Sequence, residues 1–376
     1  MLKKETLAVH AGTQFDDQTQ GTNTPIYTST AIGYLDQEVT YPRYFNIKNQ
    51  QAVADKIAAL ENSESALVFS SGMAAVTSTL LTFLKTGDHI IFQKGLYGGT
   101  SNWMEKELTK FNIDYSVADG TTPDAFQKVR RKNTRMLYIE TPSNPLLKIT
   151  DIEAAAGFAK SNDLLSVIDN TFASPANQNP VDFRIDLVIH SATKYLGGHS
   201  DICAGAVAGP QNLVSKIHPT ALNFGGSLNA QTCYLLERSM KTLFVRTRQQ
   251  NENALKIAAF LTSHPAVTNV FYPGLPGSDN HQVAKKQMKG FGGMLSFELK
   301  EKNIVSFQQQ LKLIKPAISL GGVDTTVTAP ALTSHRHLTD EAKQMEGITD
   351  QLLRMSVGIE NADDLINDLE QALNNK

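Results

Sequence analysis

Two spacings of apolar residues alternate through the first two thirds of the chain. In "NQQAVADKIAALEN", Val53, Ile57 and Leu60 recur at the spacing of one helix face. A compact apolar run, "SALVF", follows, and "SSGMAAVTSTLLTFL" then opens a second helix. Beyond it "HIIFQ", "IDYSVA", "RMLYIE", "LLSVIDN" and "DLVIHS" are short apolar runs that predict strands. Helical stretches such as "PDAFQKVRRK" and "DIEAAAGFAKSN" separate several of them. This alternation predicts an α/β domain around a mostly parallel sheet, with ligands gathering outside the carboxyl ends of its strands.

The pattern changes at both ends of the chain. The first ~45 residues, including "GTNTPIYTSTA" and "YPRYFN", show no regular period and predict an extended arm, which must pack on something such as a neighbouring subunit. From about residue 235, "LLERSMKTLFVRTRQQNENALKIAAFLTSH" predicts one long helix. "TNVFYP", "GMLSFEL", "AISL" and "LRMSVGI" then read as strands, and "ADDLINDLEQALNN" as a last helix. The expected division is an N-terminal arm (1–48), a large α/β domain (49–238) and a smaller C-terminal α+β domain (239–376).

Composition narrows the function classes. A chain of 376 residues exceeds the usual single domain. With 19% charged residues, a net charge of −2 and no long run of one sign, it lacks the basic footprint of a nucleic-acid or membrane-surface protein. Cys203 and Cys233 form no C-x-x-C pair, which argues against a zinc site or a disulfide framework and for a reducing compartment. "MLKKETLAVHAGTQ" lacks the apolar stretch of a signal peptide, and no apolar run approaches the ~20 residues that span a bilayer. The expected location is the cytoplasm.

Polar residues cluster where the apolar runs end. "SALVF" leads into Ser70, Ser71 and Gly72; "RMLYIE" ends in Glu140, with Asn144 beyond; "LLSVIDN" reaches Asp169; "DLVIHSATK" reaches Ser191, Thr193 and Lys194. In one sheet these groups meet on one edge. Gly72 opening a helix behind two serines offers free N–H groups at a positive dipole end, suited to phosphate. A strand-end carboxylate suits a protonated ring nitrogen, and a lysine beside it can form a Schiff base. Together they describe pyridoxal phosphate. Taken singly, each has a plainer reading: a solvated lysine, a capping aspartate, an ordinary helix start. Their joint occurrence in one region carries the inference.

The chain resembles the transsulfuration enzymes of Cys/Met metabolism, the cystathionine γ-lyase and γ-synthase group of pyridoxal-phosphate proteins. "SSGMAA", "LYGGT", "ETPSNP", "IDNTF", "HSATKYLGGHSD", "KTLFVR" and "LLRMSVGIE" occur in family order over nearly the whole length. The resemblance implies the type I fold of pyridoxal-phosphate-dependent transferases. It implies that Lys194 carries the cofactor and moves protons, and that Asp169 faces the ring nitrogen. Ser71, Gly72, Met73, Ser191 and Thr193 would hold the phosphate, and Tyr97 would stack on the ring and assist proton transfer. Asn144, Ser319 and Arg354 would bind substrate, the arginine clamping the α-carboxylate with its planar fork. Tyr41 and Arg43 would reach the phosphate of an adjacent subunit, giving shared active sites in a tetramer built as a dimer of dimers.

Which reaction follows is less marked. "KYLGGHSD" and "KTLFVR" resemble γ-lyases, whereas "GFGGMLSFEL" is closer to γ-synthases. The expectation is a C–S lyase acting on cystathionine or a related thioether by γ-elimination. Cystathionine γ-synthase, replacing the acyl group of O-acyl-homoserine with cysteine, is the first alternative, and β-elimination the second. Gly99 stands where methionine γ-lyases usually carry Cys. Asp324, Thr325 and Thr326 depart from the more usual Glu-Ser-Leu in a stretch expected to line the substrate pocket. A metal hydrolase built on His335 and His337 has no carboxylates at ligand spacing, and no metal is expected. A non-catalytic binding protein is disfavoured by the presence of Lys194, Asp169 and Arg354 together.

Overall fold

The structure, a computed structural model, describes residues 2–300, 303–336 and 339–375. In its larger sheet lie β1 (Ser65–Phe69), β2 (His89–Gln93), β3 (Asp114–Ala118), β4 (Thr134–Glu140), β5 (Leu165–Asp169), β6 (Leu187–His190) and β7 (Gly205–Gly209). Their order is β1-β7-β6-β5-β4-β2-β3. β3, β2, β4, β5 and β6 run parallel, and β7 runs antiparallel between β6 and β1.

Alternate residues of these strands face opposite sides, and both sides are covered. Leu67, Phe92, Val167, Ile189 and Val207 pack toward α3 (Gly72–Phe83) and the helix Gln211–Phe224. Ile91, Ile139, Ile168 and Val188 pack toward the helices Pro123–Val129 and Ile152–Ser161. Val53, Ile57 and Leu60 of α2 (Lys48–Glu61) join Val68, Ala206 and Ala208. The helical spacing read from Val53 to Leu60 is thus the spacing of one buried stripe.

β8 (Val267–Phe271), β9 (Met294–Leu299), β10 (Lys315–Pro316), β11 (Thr326–Thr328) and β12 (Leu352–Ser356) form the second sheet, in the order β10-β11-β12-β9-β8. Phe297, Val327, Leu353 and Met355 bury one face against Ile257, Leu261, Leu365 and Leu369. Alternation sends the intervening residues of β12, Arg354 and Ser356, to the other face, with Ser296 and Thr328 as register partners of Arg354. This is the α/β fold with a second, smaller sheet that was expected. Among the described residues no helix is long and apolar enough to cross a membrane.

Four elements differ from their sequence-based expectation. The arm begins with a helix, α1 (Lys4–His10); the buried Lys56 amine holds it by donating to the Ala8 carbonyl at 3.0 Å. The long helix is broken into Ala230–Met240 and Leu243–Ser263. At the break the ladder tightens to an i→i+3 bond, the Ser239 carbonyl accepting the Thr242 N–H at 3.2 Å, and side chains complete it, Thr242 Oγ1 donating at 3.1 Å and Arg246 Nη2 at 3.0 Å. β7, "GAVAG", carries no strand-like side-chain pattern; its small residues are required by close packing, since a Cβ on Gly205 would lie 2.1 Å from the Ser71 carbonyl oxygen. "AISL" is loop, with Ser319 at φ +80°, because the chain turns there toward the larger sheet.

Candidate active site

The carboxyl ends of β1, β4, β5 and β6 bring the polar strand-end residues together. α3 begins immediately after β1, and Ser71 caps it, its Oγ accepting from Ala74 N–H at 3.1 Å. The N–H groups of Gly72 and Met73 have no acceptor among the described hydrogen bonds, as the first turn of a helix dictates. A Cβ on Gly72 would lie 2.8 Å from the Ser191 Cβ. The glycine therefore lets the helix start press against the segment that follows β6. Ser191 donates its N–H to Thr171 Oγ1 at 2.8 Å, which fixes that segment beside Asp169.

Thr193 is tied differently. Its hydroxyl donates to the Ala204 carbonyl at 3.1 Å and accepts the Ala204 N–H at 3.0 Å. Its expected phosphate role thus competes with a bond that pins the lysine-bearing turn to the start of β7. Lys194 is largely enclosed, and its Nζ donates to Ser319 Oγ at 2.8 Å across 125 residues of sequence. Burial brings its pKa down to about 8, the Arg354 cation pushes the same way, and Cys203 opposes them. The result is an amine readily available in its neutral form.

Asp169 is buried and accepts the Thr171 N–H at 3.0 Å. Burial raises it above the usual carboxylate range, while the Thr171 hydrogen bonds and His190 pull it back. A buried carboxylate of this kind gains from a cationic partner, which a protonated pyridine provides. Tyr97, at the start of α4 (Gly98–Lys106), is half exposed and anchored by its backbone N–H on Glu140 Oε2 at 2.7 Å. Its ring folds over Gly99, where a Cβ would meet the Tyr97 ring at 2.4 Å.

Arg354 on β12 enters from the second sheet. It is 5% exposed, and burial lowers its pKa to about 10. Nη1 donates to Asn144 Oδ1 at 2.8 Å and Nη2 to the Ser319 carbonyl at 3.4 Å. Nε is buried without a partner, and among the described residues no salt bridge reaches the guanidinium. An uncompensated buried cation is costly, so this fork is suited to an incoming carboxylate. Asn144 sits in a turn with cis peptides at Thr141–Pro142 and Asn144–Pro145.

Tyr41 and Arg43, expected to serve an adjacent subunit, have no described contact with the cradle of their own chain: Tyr41 packs edge-on to Tyr44, and Arg43 Nη1 donates to the Leu222 carbonyl at 2.7 Å. In the stretch expected to line the substrate pocket, the Thr325 hydroxyl donates to Glu360 Oε2 at 2.8 Å, while Asp324 is exposed. Of the histidine pair, His335 is buried beside Ser334, and His337 lies outside the described residues. Sequence reading also left Glu140 without a role and gave no hint that Ser319 meets Lys194. The first had a signal, its place at a strand end; the second had none, because the contact joins the two sheets.

The residues present fit pyridoxal phosphate. Two open N–H groups with Ser191 suit its phosphate, Asp169 its ring nitrogen, Lys194 its aldehyde, and the Arg354 guanidinium, with Nε unpartnered and no anionic partner among the described residues, an amino-acid carboxylate. Comparison with known proteins leads to the same chemistry. The family described as "Cys/Met metabolism PLP-dependent enzyme" matches residues 5–374. The chain is 41% identical to the cystathionine gamma-lyase of Bacillus subtilis (strain 168), over 100% of both chains. It is also 41% identical to the cystathionine beta-lyase of Lactococcus lactis subsp. cremoris (strain MG1363), again over 100% of both. The crystal structure of cystathionine gamma synthase from Xanthomonas oryzae pv. oryzae superposes with a TM-score of 0.96 at 36% identity, covering 99% of this chain and 98% of that one. The chain belongs to this Cys/Met-metabolism family of transsulfuration enzymes, and its cofactor is pyridoxal 5'-phosphate.

Proposed function

We propose that this enzyme cleaves the Cγ–S bond of cystathionine, or of a related thioether amino acid, by γ-elimination. The observation that carries the reading is the Lys194 amine, 2.8 Å from Ser319 Oγ and beside the Arg354 guanidinium, whose Nε is unpartnered and which meets no carboxylate among the described residues. That arrangement holds an α-amino acid by its carboxylate and places a base at its Cα–H. The bound cofactor supplies the electron sink for the charge left at Cα. Arg354 and Asn144 grip the α-carboxylate and fix the direction in which the side chain leaves. Lys194, neutral once its proton is lost near pH 8, takes the Cα proton and can return it further along the substrate. In this reading Asp169 would hold a proton on the ring nitrogen, and the half-exposed Tyr97 would protonate the departing sulfur.

γ-Elimination is preferred over replacement on the "KYLGGHSD" and "KTLFVR" stretches and on the two lyases at 41% identity. The equal identity to a γ-lyase and a β-lyase keeps β-elimination as a second reading. Product analysis separates them. Cystathionine alone is expected to yield 2-oxobutanoate; pyruvate would mark β-elimination. Cystathionine formed from O-acyl-homoserine and cysteine, with no turnover of cystathionine itself, would mark the synthase.

A homo-oligomer, a tetramer of two dimers with shared sites, is part of the proposal. It is supported by an arm that leaves Tyr34 67% and Leu35 75% exposed, area that a second copy would remove from water. The division into an arm (1–48), a cofactor domain (49–238) and a C-terminal domain (239–376) is proposed with it, supported by the membership of the two sheets. A cytoplasmic location is supported by Cys203 and Cys233 being free thiols.

A further inference from the structure

Glu140 is a buried carboxyl that the mechanism above does not use. It ends β4 in register with Asp169 at the end of β5. Register partners on neighbouring parallel strands lie about 4.8 Å apart and send their side chains to the same face. Both are buried, at 3% and 7% exposure. Two carboxylates so close in a dry site cannot both ionise cheaply, so one keeps its proton.

The surrounding groups decide which one. Asp169 accepts the Thr171 N–H and faces the place of the ring nitrogen. Among the described residues Glu140 accepts one donor, the Tyr97 N–H at 2.7 Å on Oε2; the bond favours the carboxylate, but the carbonyl oxygen of a neutral acid also accepts it. The charged or titratable groups facing it are Asp169 from β5, Tyr138 from its own strand, Tyr97 from the start of α4, and Arg354 from β12. Arg354 does not neutralise it: the guanidinium spends its described hydrogen bonds on Asn144 and the Ser319 carbonyl. Burial, then Asp169, raise Glu140 well above the usual carboxylate range, while the Tyr97 N–H and Arg354 pull it down.

We propose that Glu140 is a positioning residue for the reaction: a neutral carboxylic acid that fixes Tyr97 through its backbone N–H and leaves the site's negative charge on Asp169. The proposal rests on the cofactor placement given above, with Asp169 at the ring nitrogen, but not on the identity of the thioether. A neutral acid beside Asp169 lets the ring nitrogen keep its proton without a second charge competing for it. The same acid holds the first turn of α4, which sets where the Tyr97 ring stands over the substrate.

The test uses the holoenzyme of three variants, reading the visible cofactor band, its pH titration, and kcat on whichever thioether the native enzyme turns over. Glu140→Gln keeps a neutral acceptor for the Tyr97 N–H; it is expected to titrate like the native enzyme and to keep kcat within about threefold. Glu140→Ala removes the acceptor and is expected to lose roughly tenfold in kcat with the band retained, the effect of one buried hydrogen bond. Asp169→Asn is expected to change the pH response of the band. If Glu140→Gln shifts the titration or falls as far as Glu140→Ala, Glu140 acts as a charge and the proposal is wrong. Native kcat in Glu140→Ala would also overturn it. An unchanged band titration in Asp169→Asn would instead sink the cofactor placement. Should Glu140→Ala fail to fold, the Glu140→Gln titration decides alone.

Discussion

Lys194 shows how a residue type becomes a function through its surroundings. A lysine after a strand is ordinarily a solvated cation, but here enclosure and the Arg354 cation bring its pKa down to about 8. The neutral amine is the reactive form, and its fraction grows as pH rises through that value. The cofactor-free protein should therefore capture added pyridoxal phosphate faster as pH rises from neutral, levelling off above about 8, as followed by the growth of the visible band. A capture rate flat over this range would contradict the assignment. Lys194→Ala should lower turnover by on the order of 10²–10⁴-fold while circular dichroism shows the native fold. Arg354→Ala should raise KM by roughly 10- to 100-fold, the cost of a charge-assisted hydrogen bond to the substrate carboxylate. Arg354→Lys should recover little of this, because a point charge lacks the planar fork that Asn144 orients.

The elements that frame the site were legible wherever local pattern and burial agree. α2 and α3 follow from apolar spacing, and β1 to β6 from short apolar runs ending in polar groups. The helix start at Ser71 and Gly72 is encoded locally by a serine cap, and in the proposed site it would serve the phosphate cradle as well as folding. Ser71→Ala should accordingly cost about 1 kcal/mol in thermal or denaturant unfolding and also weaken cofactor retention in dialysis. A variant that lost stability but held the cofactor as tightly as the native enzyme would separate the two roles. β7 and the break at Thr242 were not legible. The strand is made of Gly, Ala and one Val, residues chosen by close approach rather than by strand propensity, and the break depends on Arg246 reaching back to Ser239.

At the scale of the molecule, the smaller sheet completes a site that the larger one begins. Burying Leu353 and Met355 on one face of β12 forces Arg354 to the other, where it meets Asn144 from the turn after β4. Ser319 crosses from the same half of the chain to Lys194. The arm lies apart from its own cradle, with Arg43 on the Leu222 carbonyl, which agrees with the proposal that it serves a neighbouring copy. Shared sites predict complementation. Lys194→Ala and Arg43→Ala chains, each weakly active, should on mixing and reassembly regain about one quarter of native activity, since each mixed dimer rebuilds one intact site. No gain over the parent variants would mean that each chain serves its own site.

By itself the sequence determined the strand-and-helix alternation, the polar groups at the strand ends and the family motifs. All of these are carried by residues near one another in the chain, through periodicity, capping and short-range spacing. It also specified an amine, a carboxylate and a helix start, hence the class of cofactor. The tertiary structure alone decided that Thr325 bonds Glu360, that Ser319 reaches Lys194, and that Glu140 stands beside Asp169. Those outcomes rest on contacts between residues up to 125 positions apart and on the loss of water around them. Burial changes the charge state of a lysine or a glutamate, and no local spacing of residue types reports it.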